Sequence, residues 1–395
     1  MQSNELDYIQ SSWGYGGSKN MNYDVIIIGA GSMGMAAGYF LAKSGKKTLL
    51  LDSFNPPHPR GSHHGETRII RHAYAEGEEY VPFVLKAQQL WNELEKAAGK
   101  QLFLQTGVLS IGQSDSESIQ NIIASAKKYS LPLDVMDSNE IHQRWPGITI
   151  PEDFIGCFEP ASGVLKCEAC IEAYQELAES NGATILTNSR VKEISIQDER
   201  VTIKTDAQTF CADSLVVSTG AWSGKLLSML DLDIPLTPVR KTFAWFDSDE
   251  ERYNQNRFPA FDVMTPQGVY YGFPSIAGSG IKVGRHDGGV PIHPDESIMG
   301  FGELAEDEGD LISFLKQYIP DIQHLKYGKT CMYTLTPDEK FVIDLHPKYP
   351  NIAIAAGFSG HGFKFSSAVG QALSNLIISG KNDIDISPFS INRFN

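Results

Sequence analysis

Gly29, Gly31 and Gly34 stand at the spacing G-x-G-x-x-G, directly after the apolar run Val25 to Ile28. Glycines so spaced allow a tight turn, close approach of backbone N–H groups to a pyrophosphate, and close packing of a helix on the strand. The helix start, with Ser32 and Met33, adds about half a positive charge for the phosphates. A second apolar run, Thr48 to Leu51, ends in Asp52, an acceptor placed for a ribose hydroxyl. Strand, glycines, helix, second strand and terminal acid in this order predict a bound dinucleotide. Other reactive side chains are dispersed: the segment Ser62-His-His-Gly-Glu-Thr-Arg, Arg71, Lys282, His286, Cys331 and Lys364. A cysteine reacts as its thiolate, which nearby positive charge such as Lys329 would favour. An arginine fork and a lysine point charge suit a carboxylate. Two pairs invite a metal reading, Cys167-x-x-Cys170 and His63-His64. The first has no second pair, and adjacent histidines on an extended loop point apart, so no metal is expected.

The elements that must hold these groups follow from pattern. Gly38, Ala42 and Gly45 continue small-residue spacing along the helix after the glycine turn. Amphipathic helices are predicted over 80–98 and 168–180, the second placing Cys167 and Cys170 at a helix start and in the core. A strand is predicted over 106–112, a hairpin from Val191 to Ile196 and Val201 to Thr205, and a buried strand from Asp213 to Thr219, with a helix opening at Gly220. From 236 to 330 the pattern turns to short strands, followed by a polar helix over 304–318. Ile352 to Ala356 reads as a strand, and Gly357-Phe-Ser-Gly-His-Gly-Phe-Lys leads into a helix over 365–378. The expected fold is α/β. A discontinuous Rossmann-like nucleotide-binding domain takes residues 21–100, 160–235 and 340–395. A mixed or antiparallel sheet domain, carrying the substrate, takes 101–159 and 236–339. Residues 1–20, polar and Gly/Ser-rich before Met21, read as a disordered extension. The 395 residues have a net charge of −15, which argues against nucleic acid, and five cysteines, an odd number that argues against a disulfide framework. With neither a secretory signal nor an apolar run long enough for a membrane span, the cytoplasm is the expected compartment.

Three segments resemble the signatures of the monomeric sarcosine oxidase and N-methyltryptophan oxidase family, flavoenzymes of the D-amino-acid-oxidase-like superfamily. They are Ser62 through Tyr74, Lys329-Thr-Cys-Met-Tyr-Thr, and Gly357 through Ser367. The resemblance runs from Tyr23 to about Phe394. It implies FAD held through a thioether to Cys331, a monomer with no obligate protein partner, and oxidation of an N-methyl amino acid by O2 to the primary amino acid, formaldehyde and H2O2. Cofactor contacts are implied at Gly29, Gly31, Ser32, Met33, Gly34, Asp52, Thr67, Val191, Gly220, Cys331, Gly360, Gly362, Phe363 and Lys364. Arg71 and Lys364 match the pair that grips the substrate carboxylate, His64, Thr67 and Arg68 lie against the flavin, and Lys282 serves oxygen activation. Tyr271, His286 and Tyr333 match pocket positions.

Two residues depart from sarcosine oxidases. Asp262 stands where they carry a methionine facing the pocket, and Arg285 replaces an aromatic residue. Asp262 either reshapes the pocket or turns outward to Arg285 or solvent. Sarcosine and N-methyltryptophan both stay open as substrates. So do a D-amino acid or glycine oxidase with noncovalent FAD and a dehydrogenase using another electron acceptor.

Overall fold

The structure, a computed structural model, describes residues 21–322 and 324–394; the expected extension over 1–20 lies outside the described residues. Three sheets of eight, nine and three strands form among them. In the eight-stranded sheet, Met21–Ile28 lies between the parallel strands Thr48–Leu51 and Thr209–Val217, and Ile352–Ala356 pairs parallel beyond the latter. Val25 through Ile28 is buried on both faces, which is why the run reads as continuous β-branched residues without alternation. The predicted hairpin is present as Val191–Gln197 and Arg200–Thr205, turning at Asp198 and Glu199, both with positive φ.

Helix Ser32–Lys43 is covered on nearly every side. Gly34 fits because a Cβ there would run into the Gly29 carbonyl, and Gly38 lies flat against Leu50. Gly45 lies beyond the helix, with φ +85°, and serves the turn into the next strand, not the packing stripe expected of it. On the outer side, helix Ser366–Ser379 approaches to backbone distance, its Gly370 set against Ala36 and Ala37.

The nine-stranded sheet positions the chemistry. Its longest members, Thr237–Phe246 and Leu325–Leu335, pair antiparallel over their length, Lys241 opposite Cys331 and Val239 opposite Tyr333. The short strands expected here are therefore only part of the segment. Polar positions such as Lys326, Lys329 and Thr330 break up the apolar signal of Leu325–Leu335. Ile281–Arg285, Gly268–Phe273, Ala260–Thr265 and Val108–Gln113 follow in order across the sheet. Since side chains alternate between faces, the register collects Cys331, Tyr333, Lys282, Tyr271, Asp262 and Ser110 on one side. The opposite face carries Leu109, Ile111, Phe261, Val263 and Val283 and is buried against Leu311, Phe314 and Leu315 of helix Glu306–Tyr318. Each such side chain contributes about 1.5–3 kcal/mol on full burial, so the apolar face locks the register that presents the polar one.

Two elements differ from expectation. Thr67–Ile70, in and after the histidine-bearing segment for which the sequence pattern predicted no element, is a strand pairing antiparallel with Gly163–Lys166. The strand expected over Asp213 to Thr219 runs from Thr209 to Val217, its first half extended by pairing with the hairpin. Gly370→Val is expected to cost about 1–3 kcal/mol through overpacking against Ala36, read as a melting temperature several degrees lower. An unchanged melting temperature would show that the two helices tolerate separation.

Candidate functional site

A cleft of about 470 Å³ opens at the carboxyl ends of the parallel strands. Gly29, Gly31, Ser32, Met33 and Asp52 form one wall, and Val191, Gly220, Gly360, Gly362 and Phe363 line it elsewhere. Gly34 sits behind the turn and acts by packing. Asp52 is oriented by two amides, accepting from Ala30 N and Phe54 N, each at 2.8 Å. Three buried donors or acceptors on this wall, His58 Nδ1, Arg60 Nε and His63 Nε2, have no partner within the protein. Unpaired buried polar atoms are costly, and phosphate and ribose oxygens would satisfy them. The wall therefore fits a dinucleotide. Sequence reasoning missed His58 and Arg60, whose only signal was the Pro-rich connection after Asp52. The mouth is crossed by a strap from the nine-stranded sheet. Its Asp295 accepts from Arg190 at 2.7 Å, Trp222 at 2.9 Å and Lys225 at 2.6 Å.

The cleft ends at Arg68 and Tyr333. Arg68 is held by carbonyls of Thr67 and Ser62, both at 2.7 Å, and of His64 at 2.9 Å. His63 and His64 do point apart: His63 faces the cleft, while the His64 ring lies 5.7 Å from that of Phe243. Burial, reinforced for His64 by Arg68, lowers the two imidazoles to about 3 and about 4, so both are neutral at pH 7. No group of three His, Cys, Asp or Glu side chains among the described residues is placed to hold a metal.

Lys282, 1% exposed, donates to Gly65 O at 2.6 Å and to Thr67 O and Oγ1 at 3.1 Å, inside a box of Phe243, Trp245 and Phe273. Burial and then Arg68 pull its ammonium down to about 7. A second cavity, of about 310 Å³ and lined by Thr67, Trp245 and Phe273, reaches Lys282 from outside the main cleft. Cys331 is buried on the same sheet face, and burial raises its thiol. The charges opposing that rise are Arg68, Lys282, Lys241 and Arg240. Lys329, expected to favour the thiolate, instead lies over the Trp245 and Tyr327 rings.

Beyond Arg68 lies a charged cluster. Arg71 NH1 meets Asp262 Oδ2 at 3.2 Å, NH2 meets Glu76 at 3.0 and 3.2 Å, and Nε is buried without a partner. Asp262 thus turns inward, its Oδ2 also accepting from Ser110 at 3.0 Å. Arg285, its alternative partner, is held by Asp287 and Asp310. Lys364 Nζ donates to Tyr74 Oη at 3.1 Å, and Tyr74 Oη lies 2.9 Å from His361 Nδ1. His361 Nε2 faces Glu339 O at 3.3 Å, which assigns its proton to Nε2 and makes Nδ1 the acceptor from Tyr74. Tyr74, Glu76 and His361 were not singled out from sequence, although all three lie in or beside the quoted motifs. Burial, and then Arg71, lowers Lys364 to about 7, while Glu76 and Asp262 oppose that fall. Burial holds His286 at about 4 and His361 at about 3, so neither is charged at pH 7.

Arg71 with Lys364 can bind an anion, and the lysine sets the pH dependence. Burial and Arg71 disfavour its charge, so its protonated fraction falls as pH rises through about 7, and anion affinity falls with it. His286 and His361 are already neutral there, Glu76 is ionised with its carboxyl lowered to about 2, and Arg71 keeps its charge against the two carboxylates. The acetate dissociation constant of the holoenzyme is expected to be flat below pH 7 and to rise up to about tenfold per pH unit above it. Titrations at pH 6 to 9 check this. Lys364→Met should weaken acetate binding by about 2–5 kcal/mol and remove the slope.

The sequence profile described as FAD dependent oxidoreductase matches residues 24–376. The chain is 55% identical over 375 residues to monomeric sarcosine oxidase of Arthrobacter sp. (strain TE1826), covering 94% of this chain and 96% of that one. It is 41% identical to N-methyl-L-tryptophan oxidase of Yersinia pestis (strain Pestoides F), covering 95% of this chain and all of the other. Among solved structures, L-proline dehydrogenase from P. horikoshii superposes with a TM-score of 0.84 at 22% identity, over 95% of this chain and 98% of that chain. The open form of NikD, an unusual amino acid oxidase essential for nikkomycin biosynthesis, gives 0.82 at 23%, over 94% and 98%. With a dinucleotide wall, a matching profile across most of its length and such relatives, this chain belongs to the FAD-dependent oxidoreductase family.

Proposed function

We propose that this protein is an FAD-dependent oxidase of N-methyl amino acids. It would convert the N-methyl amino acid, O2 and water to the primary amino acid, formaldehyde and H2O2. The supporting observation is the sheet face that carries Cys331, Tyr333 and Lys282, with Tyr333 lining the dinucleotide cleft and Lys282 the second cavity, together with the buried cations Arg71 and Lys364. That arrangement occurs in a chain 55% identical to a sarcosine oxidase.

A bound flavin would supply the two-electron redox chemistry that links oxidation of the N-methyl group to reduction of O2. Gly29, Gly31 and the start of helix Ser32–Lys43 would hold its pyrophosphate and Asp52 its ribose. Cys331 would carry the covalent attachment. Arg71 and Lys364 would take the substrate carboxylate. His286, neutral at pH 7 through burial, would line the pocket beside the amine. Tyr271 and Tyr333 supply apolar walls with polar tips. Lys282, held at about 7 by burial, would offer O2 a positive charge, its neutral fraction taking up a proton as negative charge develops beside it. The thiol of Cys331 is raised by burial, so attachment depends on Arg68, Lys282 and Lys241 to stabilise its thiolate. The protein is further proposed to act as a monomer in the cytoplasm. No helix among the described residues is long and apolar enough to cross a membrane.

Peroxide and formaldehyde should appear in equal amounts when the holoenzyme is given sarcosine or N-methyl-L-tryptophan. The kcat/KM ratio then ranks the two, and silence with both would refute the proposal. Acid precipitation should leave the yellow colour in the protein pellet and, for Cys331→Ser, in the supernatant. Colour released from the native protein would point instead to a noncovalent amino acid oxidase.

A further inference from the structure

Asp262 introduces a carboxylate on the wall of the proposed anion site. Its strand register places it opposite Tyr271 and Ser110, on the site face of the sheet. It is 4% exposed, and both its hydrogen bonds, to Arg71 and Ser110, fall on Oδ2, leaving Oδ1 an acceptor without a hydrogen bond. Glu76 already neutralises Arg71 from the other side, through two contacts. We propose that Asp262 is a specificity determinant, giving the site a preference for N-methyl amino acids whose side chain ends in a cation; the inference rests on the function proposed above.

The reason is charge balance in a site largely removed from water. Before substrate enters, Asp262 and Glu76 face Arg71 and Lys364, while His286 and His361 are neutral through burial. Burial raises the Asp262 carboxyl while Arg71 and Ser110 hold it down; with Asp262 ionised, and below about pH 7 where Lys364 is charged, a substrate carboxylate makes three negative groups against two positive ones. An N-methyl amino acid with an apolar side chain leaves that excess in place, whereas a side-chain ammonium restores equality. Oδ1 gives that ammonium a direct acceptor, and a charge-assisted bond is roughly twice as strong as a neutral one.

Three substrates separate the outcomes: sarcosine, N-methyl-L-norleucine and Nα-methyl-L-lysine. The last two differ chiefly in whether the chain ends in a methyl or an ammonium group. The holoenzyme is expected to favour the lysine derivative over norleucine by at least about tenfold in kcat/KM. Asp262→Asn should bring that ratio near one, and Ser110→Ala, which leaves the charge, should retain most of it. Calorimetry of the products L-lysine and L-norleucine should show the same preference without turnover. Equal binding of the two products, or sarcosine oxidised with no preference between the longer substrates, would overturn this inference and leave the proposed function standing. Oxidation of none of the three, nor of N-methyl-L-tryptophan, would overturn both. Should Asp262→Asn fail to fold, the two ratios of the native enzyme decide alone.

Discussion

Burying cations is the constraint on which this site is built. The chain carries a net charge of −15, yet Arg68, Arg71, Lys282 and Lys364 are largely removed from water, Arg68 at the main cleft and Lys282 at the second cavity. Desolvation disfavours an ammonium strongly, and each cation is held there by named acceptors. Arg68 is pinned by three carbonyls, Lys282 by the Gly65 and Thr67 carbonyls and a hydroxyl, Lys364 by Tyr74 and the His361 carbonyl. Only Arg71 is met by carboxylates. Carbonyls and hydroxyls orient a cation without cancelling its charge, so three of the four keep their field for whatever enters the cleft. Arg71 is the exception, its charge opposed by Asp262 and Glu76.

The sheet supplies the geometry for this at low strain. Period-two alternation sends one residue to the core and the next to the cleft, so packing and chemistry are specified on opposite faces of the same strands. Met332 is buried between Cys331 and Tyr333, and Val283 between Lys282 and Gly284. A one-residue slip would bury the reactive groups in the apolar core and expose the core to the cleft. The Leu109, Phe261, Val263 and Phe314 cluster therefore holds the site as firmly as any hydrogen bond within it.

Much of the frame was legible in the chain. The glycine turn, Thr48–Leu51, helix Tyr80–Ala98 and the 191–205 hairpin lie where their patterns put them, because each signal is local: a turn residue, a buried run, a 3.6 period. Strand Thr67–Ile70 was not legible, since its partner, Gly163–Lys166, lies far along the chain. The placement of Arg68, Lys282 and Cys331 around one point came from motif resemblance, not from spacing. The inward turn of Asp262, the stacking of Lys329 on aromatic rings and the Lys364–Tyr74–His361 chain are set by pairing between distant segments. No residue-by-residue pattern contains such information.

The backbone-distance contact between helices Ser32–Lys43 and Ser366–Ser379 bears on how the molecule is made. Strand Met21–Ile28 gains its second parallel neighbour only from Thr209–Val217, and that strand gains its own from Ile352–Ala356. On a ribosome, the phosphate-binding turn is among the earliest described segments to emerge, yet it stays half uncovered until residues 352–379 are released. Contacts so distant in sequence slow folding, and exposed parallel strands in the meantime invite misassociation. Closure of this sheet and helix layer therefore waits on Ile352–Ala356 and helix Ser366–Ser379 as much as on the early glycines.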